Sequence, residues 1–125
     1  MATIREIVFD SEHPPTLARF WAAVLNGYAV RPYDDAEIER LAAQGLSPET
    51  DPTVAVDGPG PTLFFQQVRE RKTAKNRVHL DIAAVDRRSE VERLRALGAS
   101  ICREHECFTV MQDPEGNEFC VVEQH

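Results

Sequence analysis

No apolar run in this 125-residue sequence approaches the roughly 20 residues that a membrane-spanning helix requires. Basic residues are the minority, 14 against 21 acidic, and the net charge of −7 argues against a general nucleic-acid binder, whose footprint is a basic surface. Cysteine is scarce. Three is an odd number, and Met-Ala-Thr-Ile-Arg-Glu leads straight into a strand pattern with no signal-peptide hydrophobic region. Reduced thiols in a cytoplasmic protein are the expectation. What remains is a chain of one-domain size, long enough to bury a core without disulfide or metal staples.

The stretch that organises the rest is Asn76-Arg77-Val78-His79-Leu80-Asp81-Ile82. It alternates as a half-buried strand does, with Val78, Leu80 and Ile82 on one face and Arg77, His79 and Asp81 on the other. It also stands where the chain begins again. Ile7-Val8-Phe9-Asp10 is a similar strand, and 17 positions separate Asp10 from Gly27, as 17 separate Asp81 from Gly98. Each interval reads as a helix closed by glycine.

In the first half, a strand over 4–10 leads through a Ser-Glu-His-Pro-Pro turn into a helix. Thr16 or an earlier residue can cap this helix, and the prolines suit its first turn. Leu17, Phe20, Trp21, Val24 and Leu25 form a broad apolar stripe that must face a sheet, and Gly27 supplies the stop. A short strand over 28–31 precedes a second helix over about 34–45, with Ile38 and Leu41 inward. Strands at 53–56 and 63–68 flank the turn Gly58-Pro59-Gly60-Pro61.

The second half repeats the order without the extra helix. A strand at 78–83 is followed by a helix capped by Asp86, with Val91, Leu94 and Leu97 inward. Strands follow at 99–103, 108–112 and 119–123. The first strands of the halves are offset by 71 and the last by 54, and the difference matches the inserted segment at 34–50. The expectation is a single α+β domain over 1–125 built from a duplicated βαβββ module. Module 1 spans about 4–68 with the inserted helix, and module 2 about 77–124.

These features resemble the glyoxalase/bleomycin-resistance/extradiol-dioxygenase superfamily, also called vicinal oxygen chelate, and its glyoxalase-like subgroup common in bacteria. The resemblance rests on Leu17-Ala18-Arg19-Phe20-Trp21, on Phe65-Gln66-Gln67-Val68 with Glu70, on Lys75-Asn76-Arg77-Val78-His79-Leu80-Asp81 and on Asp113-Pro114-Glu115-Gly116-Asn117-Glu118-Phe119-Cys120. It implies curved mixed sheets around a shared cleft, with helices outside. The superfamily hosts lyases, isomerases, dioxygenases and drug-binding proteins, so the fold does not decide the activity.

Members that use a metal line the cleft with four side chains, usually His or Gln and Glu from one module and His and Glu from the other. Here His79 matches a histidine, Cys120 falls where the second glutamate stands, and Gln66 takes the place of the first. The fourth position falls on Glu6 or Val8, which lie on one strand face. With one of the usual four intact, the resemblance implies no cofactor, and a divalent metal held by His79, Gln66, Glu6 and Cys120 is the least favoured reading.

His79 is the candidate catalytic residue, as general base near neutrality, although a hydrogen-bonded core histidine has the same pattern. Gln66, Cys120, Glu6 and Asp10 are candidate ligand contacts. A strand cysteine is also an ordinary small hydrophobe, and Asp10 also suits fixing the next turn. Cys102, His105 and Cys107 match no standard zinc spacing. Arg69, Arg71, Lys72, Lys75 and Arg77 make a basic linker that either attracts an anionic ligand or is a solvated connection.

Three functions stay open: a glyoxalase-like lyase or isomerase with a metal-free site, a non-catalytic protein that sequesters a drug or metabolite, and a metal-dependent lyase or dioxygenase. The expected ligand is small and anionic or carbonyl-bearing. Nucleic acid and membrane are excluded as partners, and the superfamily resemblance with its open sheet edges implies a homodimer.

Overall fold

Over residues 1–124, which the computed structural model describes, the chain forms β1 (Glu6–Ser11), α1 (Pro14–Val24), β2 (Ala29–Val30), α2 (Asp35–Ala42), β3 (Thr53–Asp57), β4 (Thr62–Gln67), β5 (Leu80–Ala84), α3 (Arg87–Leu97), β6 (Ser100–Glu104), β7 (Phe108–Gln112) and β8 (Glu118–Glu123). Two compact units divide it, Met1–Arg71 and a second from Lys72 onward. Each holds one four-stranded mixed sheet, in the order β1-β4-β3-β2 and β5-β8-β7-β6. In both, the first strand runs parallel to the last, and the remaining neighbours are antiparallel. This is the α+β arrangement of two βαβββ modules, with α2 as an insertion in the first.

The register carries the duplication down to single residues. Asp10 pairs with Gln66 and Asp81 pairs with Cys120. Asp81 follows Asp10 by 71 residues and Cys120 follows Gln66 by 54, so the two pairs are equivalents. On the same register His79 corresponds to Val8 rather than to Glu6.

In the first unit, Pro14 and Pro15 open α1, where a missing N–H costs nothing, and the N-cap is His13, earlier than Thr16 and without a side-chain cap bond. Leu17, Ala18, Phe20, Trp21 and Val24 bury the helix against the sheet. Phe9 lies between Trp21 and Phe65 with tilted rings, at centroid distances of 5.5 and 4.9 Å. Each of these large side chains is worth roughly 1.5–3 kcal/mol of burial. Asp34 caps α2 by accepting from the Glu37 N–H, but only Leu41 of that helix is buried. Ile38, expected inward, is 42% exposed, because a contact one residue wide leaves nothing to cover it. The loop after α2 is held by Asp51, which accepts from the Tyr33 hydroxyl at 2.7 Å and the Thr53 N–H at 3.0 Å.

In the second unit, Asp86 caps α3 by accepting from the Ser89 N–H, and Gly98 ends it in the left-handed region at φ +118°. Val91 and Leu94 are buried; Leu97, expected inward, is the last helical residue and is 38% exposed where the chain turns away. The turn before β8 is built on buried Asp113, whose carboxylate accepts from the N–H groups of Glu115 and Asn117 and from the Asn117 side chain, each at 2.9 Å.

Two departures from the expected strands matter for the site. β1 begins at Glu6, leaving Ile4 74% exposed. β5 begins at Leu80, so Val78 is 77% exposed and His79 lies just ahead of the strand. The cause is Asn76. Its side chain accepts from the Glu118 N–H at 3.2 Å and donates to the Glu118 carbonyl at 3.3 Å and the Val78 carbonyl at 3.1 Å. An amide side chain therefore satisfies the β8 backbone where a neighbouring strand would otherwise pair.

The edge strand β6 carries a bulge. Ile101 pairs with Met111, but Arg103 rather than Cys102 pairs with Val110. One extra residue thus reverses which face each later side chain of β6 occupies.

Candidate functional site

Along β8, Phe119 and Val121 are fully buried under α3, so Glu118, Cys120 and Val122 point to the helix-free face. Along β7, Thr109 and Met111 are buried and Phe108 and Val110 alternate to that same face. β5 adds Asp81 beside Cys120, and the bulge adds Arg103 beside Val110. The result is a pocket of about 320 Å³. Phe108, Val110, Val122 and Cys120 form its apolar floor; Lys75, His79, Asp81, Arg103 and Glu118 form its polar rim.

His79 Nε2 lies 3.2 Å from an Asp81 carboxylate oxygen, and both side chains are about half exposed. The contact places the imidazole beside a carboxylate at the mouth of the pocket. Asp81 also accepts from Cys120. Burial pushes the Cys120 thiol above its ordinary range, and the charge of Asp81 and its hydrogen bond add to the shift. The sulfur is therefore a neutral donor at physiological pH, not a thiolate nucleophile. Lys75 Nζ donates to Glu118 at 2.6 Å, and this hydrogen bond holds the Glu118 carboxyl below its usual range.

Donor atoms of His79, Asp81 and Cys120 all lie within 4.8 Å of one another, the one such trio among the described residues. Imidazole, carboxylate and sulfur together suit zinc, and a bound cation would favour the thiolate that burial and Asp81 oppose. They do not suit magnesium or calcium, which need an oxygen set with more than one carboxylate.

Of the residues singled out by the sequence, His79 and Cys120 meet in this pocket. Gln66, Asp10 and Glu6 belong to the first unit. There Gln66 Nε2 donates to Asp10 at 2.8 Å, and Glu6 sits 3.2 Å from Arg5. Cys102 and Cys107 are exposed free thiols, and His105 stacks on Phe108 at 4.3 Å. Asp81, Glu118 and Arg103 are not among the sequence candidates, and Lys75 is among them only as part of the basic linker. Asp81 was within reach, since a period of two puts it beside His79. Arg103 was not, because its face depends on the bulge.

A repeated βαβββ unit, with a small pocket on the helix-free face of its second sheet, places the protein among α+β proteins built from two such modules. Within that class, the sequence profile of the glyoxalase-like domain matches residues 6–122, and the chain belongs to this family of the vicinal oxygen chelate superfamily. No curated protein matches the sequence. Among solved structures, a glyoxalase/bleomycin resistance protein/dioxygenase family enzyme from Burkholderia phytofirmans PsJN superposes with a TM-score of 0.69 at 14% identity, covering 98% of each chain. The fosfomycin resistance protein FosX from Mesorhizobium loti superposes with a TM-score of 0.68 at 12% identity, covering 98% of this chain and 91% of that one. Likeness at such identities shows the fold.

Proposed function

We propose that the protein is a glyoxalase-like lyase or isomerase that handles a small carbonyl compound, with His79 as general base at the carbon next to the carbonyl and no metal required. The observation that carries this reading is the His79–Asp81 contact of 3.2 Å at the rim of a pocket with an apolar floor. A carboxylate-oriented imidazole is the arrangement that proton transfer needs. The neutral Cys120 thiol supplies a weak donor beside it, not a second base. Gln66, Asp10 and Glu6 are carried as ligand contacts on the equivalent face of the first sheet. Their support is the Asp10–Gln66 pair, which repeats Asp81–Cys120.

The test is hydrogen–deuterium exchange at the C–H next to the ketone in a panel of α-keto acids and α-hydroxy ketones, followed by NMR. His79→Asn should slow the catalysed exchange by roughly 10²–10⁴-fold. Exchange unchanged by His79→Asn sinks the reading. Binding without any exchange would instead make this a sequestering protein.

The 4.8 Å trio favours one second reading, in which His79, Asp81 and Cys120 hold zinc and the metal supplies Lewis-acid chemistry. Titration with Co²⁺ separates the two. A thiolate-to-cobalt charge-transfer band that disappears in Cys120→Ser supports the metal, and no band rules it out.

A further inference from the structure

The rim of the pocket is paired with one exception. Lys75 is bonded to Glu118, and His79 is in contact with Asp81. Arg103 makes no hydrogen bond and no ion pair among the described residues, although it is near enough to Glu118 and Cys120 to act on both electrostatically. Arg31 grips Asp57 at 2.8 and 3.0 Å and Arg93 grips Glu90 at 2.7 and 2.8 Å. Among the described residues Arg69, Arg77 and Arg88, like Arg103, make no such bond, but they do not line this pocket.

The position of Arg103 is also a built one. In an unbroken β6–β7 ladder, Cys102 would pair with Val110 and face the pocket, and Arg103 would fall on the helix side. The bulge between Ile101 and Arg103 reverses this and sets the guanidinium beside Val110, over the apolar floor. Bulges recur next to functional sites because they re-aim a side chain in this way.

We infer that Arg103 is the anchor for a ligand carboxylate, and that the pocket takes a monoanion with an apolar or aromatic body. This rests on the pocket reading proposed above and names its ligand class. The planar fork of five N–H donors matches a carboxylate in two parallel hydrogen bonds. Phe108, Val110 and Val122 then cover the apolar body. The charge count selects a monoanion. Lys75 is already bonded to Glu118, so among the described residues Arg103 is the one rim guanidinium or ammonium left to bind an anion. There is no surplus for a dianion such as a phosphate monoester.

The experiment uses the full chain and three probes: phenylpyruvate, its methyl ester and phenyl phosphate. Affinities come from calorimetry and locations from backbone amide shifts. Phenylpyruvate should shift Val110, Cys120 and Val122 and bind about tenfold or more tighter than the ester, the range for a charge-assisted hydrogen bond. Arg103→Gln should reduce phenylpyruvate to the affinity of the ester, Arg103→Lys should recover part of the loss, and Arg95→Gln on the outer helix should change nothing. If Arg103→Gln binds phenylpyruvate as the parent does, with the same residues shifted, the anchor is wrong and the pocket survives. If no probe shifts that face, the pocket reading falls and the anchor with it. Phenyl phosphate binding tighter than phenylpyruvate overturns the monoanion assignment.

Discussion

Asp81 is the residue on which the polar groups of the site converge. It is the contact of His79 and the acceptor for Cys120, and its charge is one reason the thiol resists ionisation. The consequence is measurable. Alkylation of Cys120 should rise with pH only above the ordinary thiol range, because the thiolate is the reacting species. In Asp81→Asn the charge is gone while the burial remains, so the pH profile should move to lower pH without reaching that of a free thiol. Iodoacetamide labelling followed by mass spectrometry resolves Cys120 from the exposed Cys102 and Cys107. A profile unmoved in Asp81→Asn would mean that burial alone controls the sulfur. The duplication sharpens the point. At the equivalent position of the first sheet Asp10 meets Gln66, which cannot ionise, so only the second unit couples its carboxylate to a titrating partner.

At the scale of elements, the start of β5 depends on one side chain. Asn76→Ala removes three hydrogen bonds to the Glu118 and Val78 backbone and leaves the Glu118 N–H and carbonyl, which are only part-buried, to find water. We expect a loss of about 1–2 kcal/mol, at the level of one or two hydrogen bonds. Hydrogen exchange at Glu118 should accelerate before that at Val121. Urea denaturation checks the first figure, and unchanged stability would show that the amide only decorates the strand end. The same side chain marks the limit of sequence reading here. Alternation at Val78, Leu80 and Ile82 is a true strand pattern, but nothing in it says that Asn76 ends the pairing two residues early. The helices were more legible, because Leu17, Phe20, Trp21 and Val24 repeat at helical spacing and Gly98 ends α3 at positive φ. The stop expected at Gly27 comes earlier, because Leu25 turns extended and caps α1 at Val24. Of the candidate site, His79 stands on the first strand of the second repeat, and Cys120 is reached through the family resemblance, by its place after the Asp113-Pro114-Glu115-Gly116 turn. Arg103 could not be found in either way, since a bulge is a property of two strands paired, not of either sequence.

At the scale of the whole molecule, the described residues contain no helix long and apolar enough to cross a membrane. The edge strand β6 is exposed along its length, with Ile101 37% accessible. We propose that the protein covers such edges by forming a homodimer, since unpaired edges invite association. Sedimentation equilibrium at micromolar concentration should return twice the chain mass of 14.1 kDa; a monomer at that concentration counts against it.

The strand order has a further consequence, in time. β4 and β8 are the last strands of their units to be synthesised, yet each is an interior strand lying between the first strand and the third. Until β8 emerges from the ribosome, β5 has no neighbour and α3 has no complete surface to cover. The β6–β7 hairpin can form by itself, but it cannot recruit β5 without the strand that belongs between them. Each unit therefore closes late and by insertion, so the nascent chain passes through a stage in which Leu80 and Ile82 are unpaired. Loop-closure entropy makes that step the slow one.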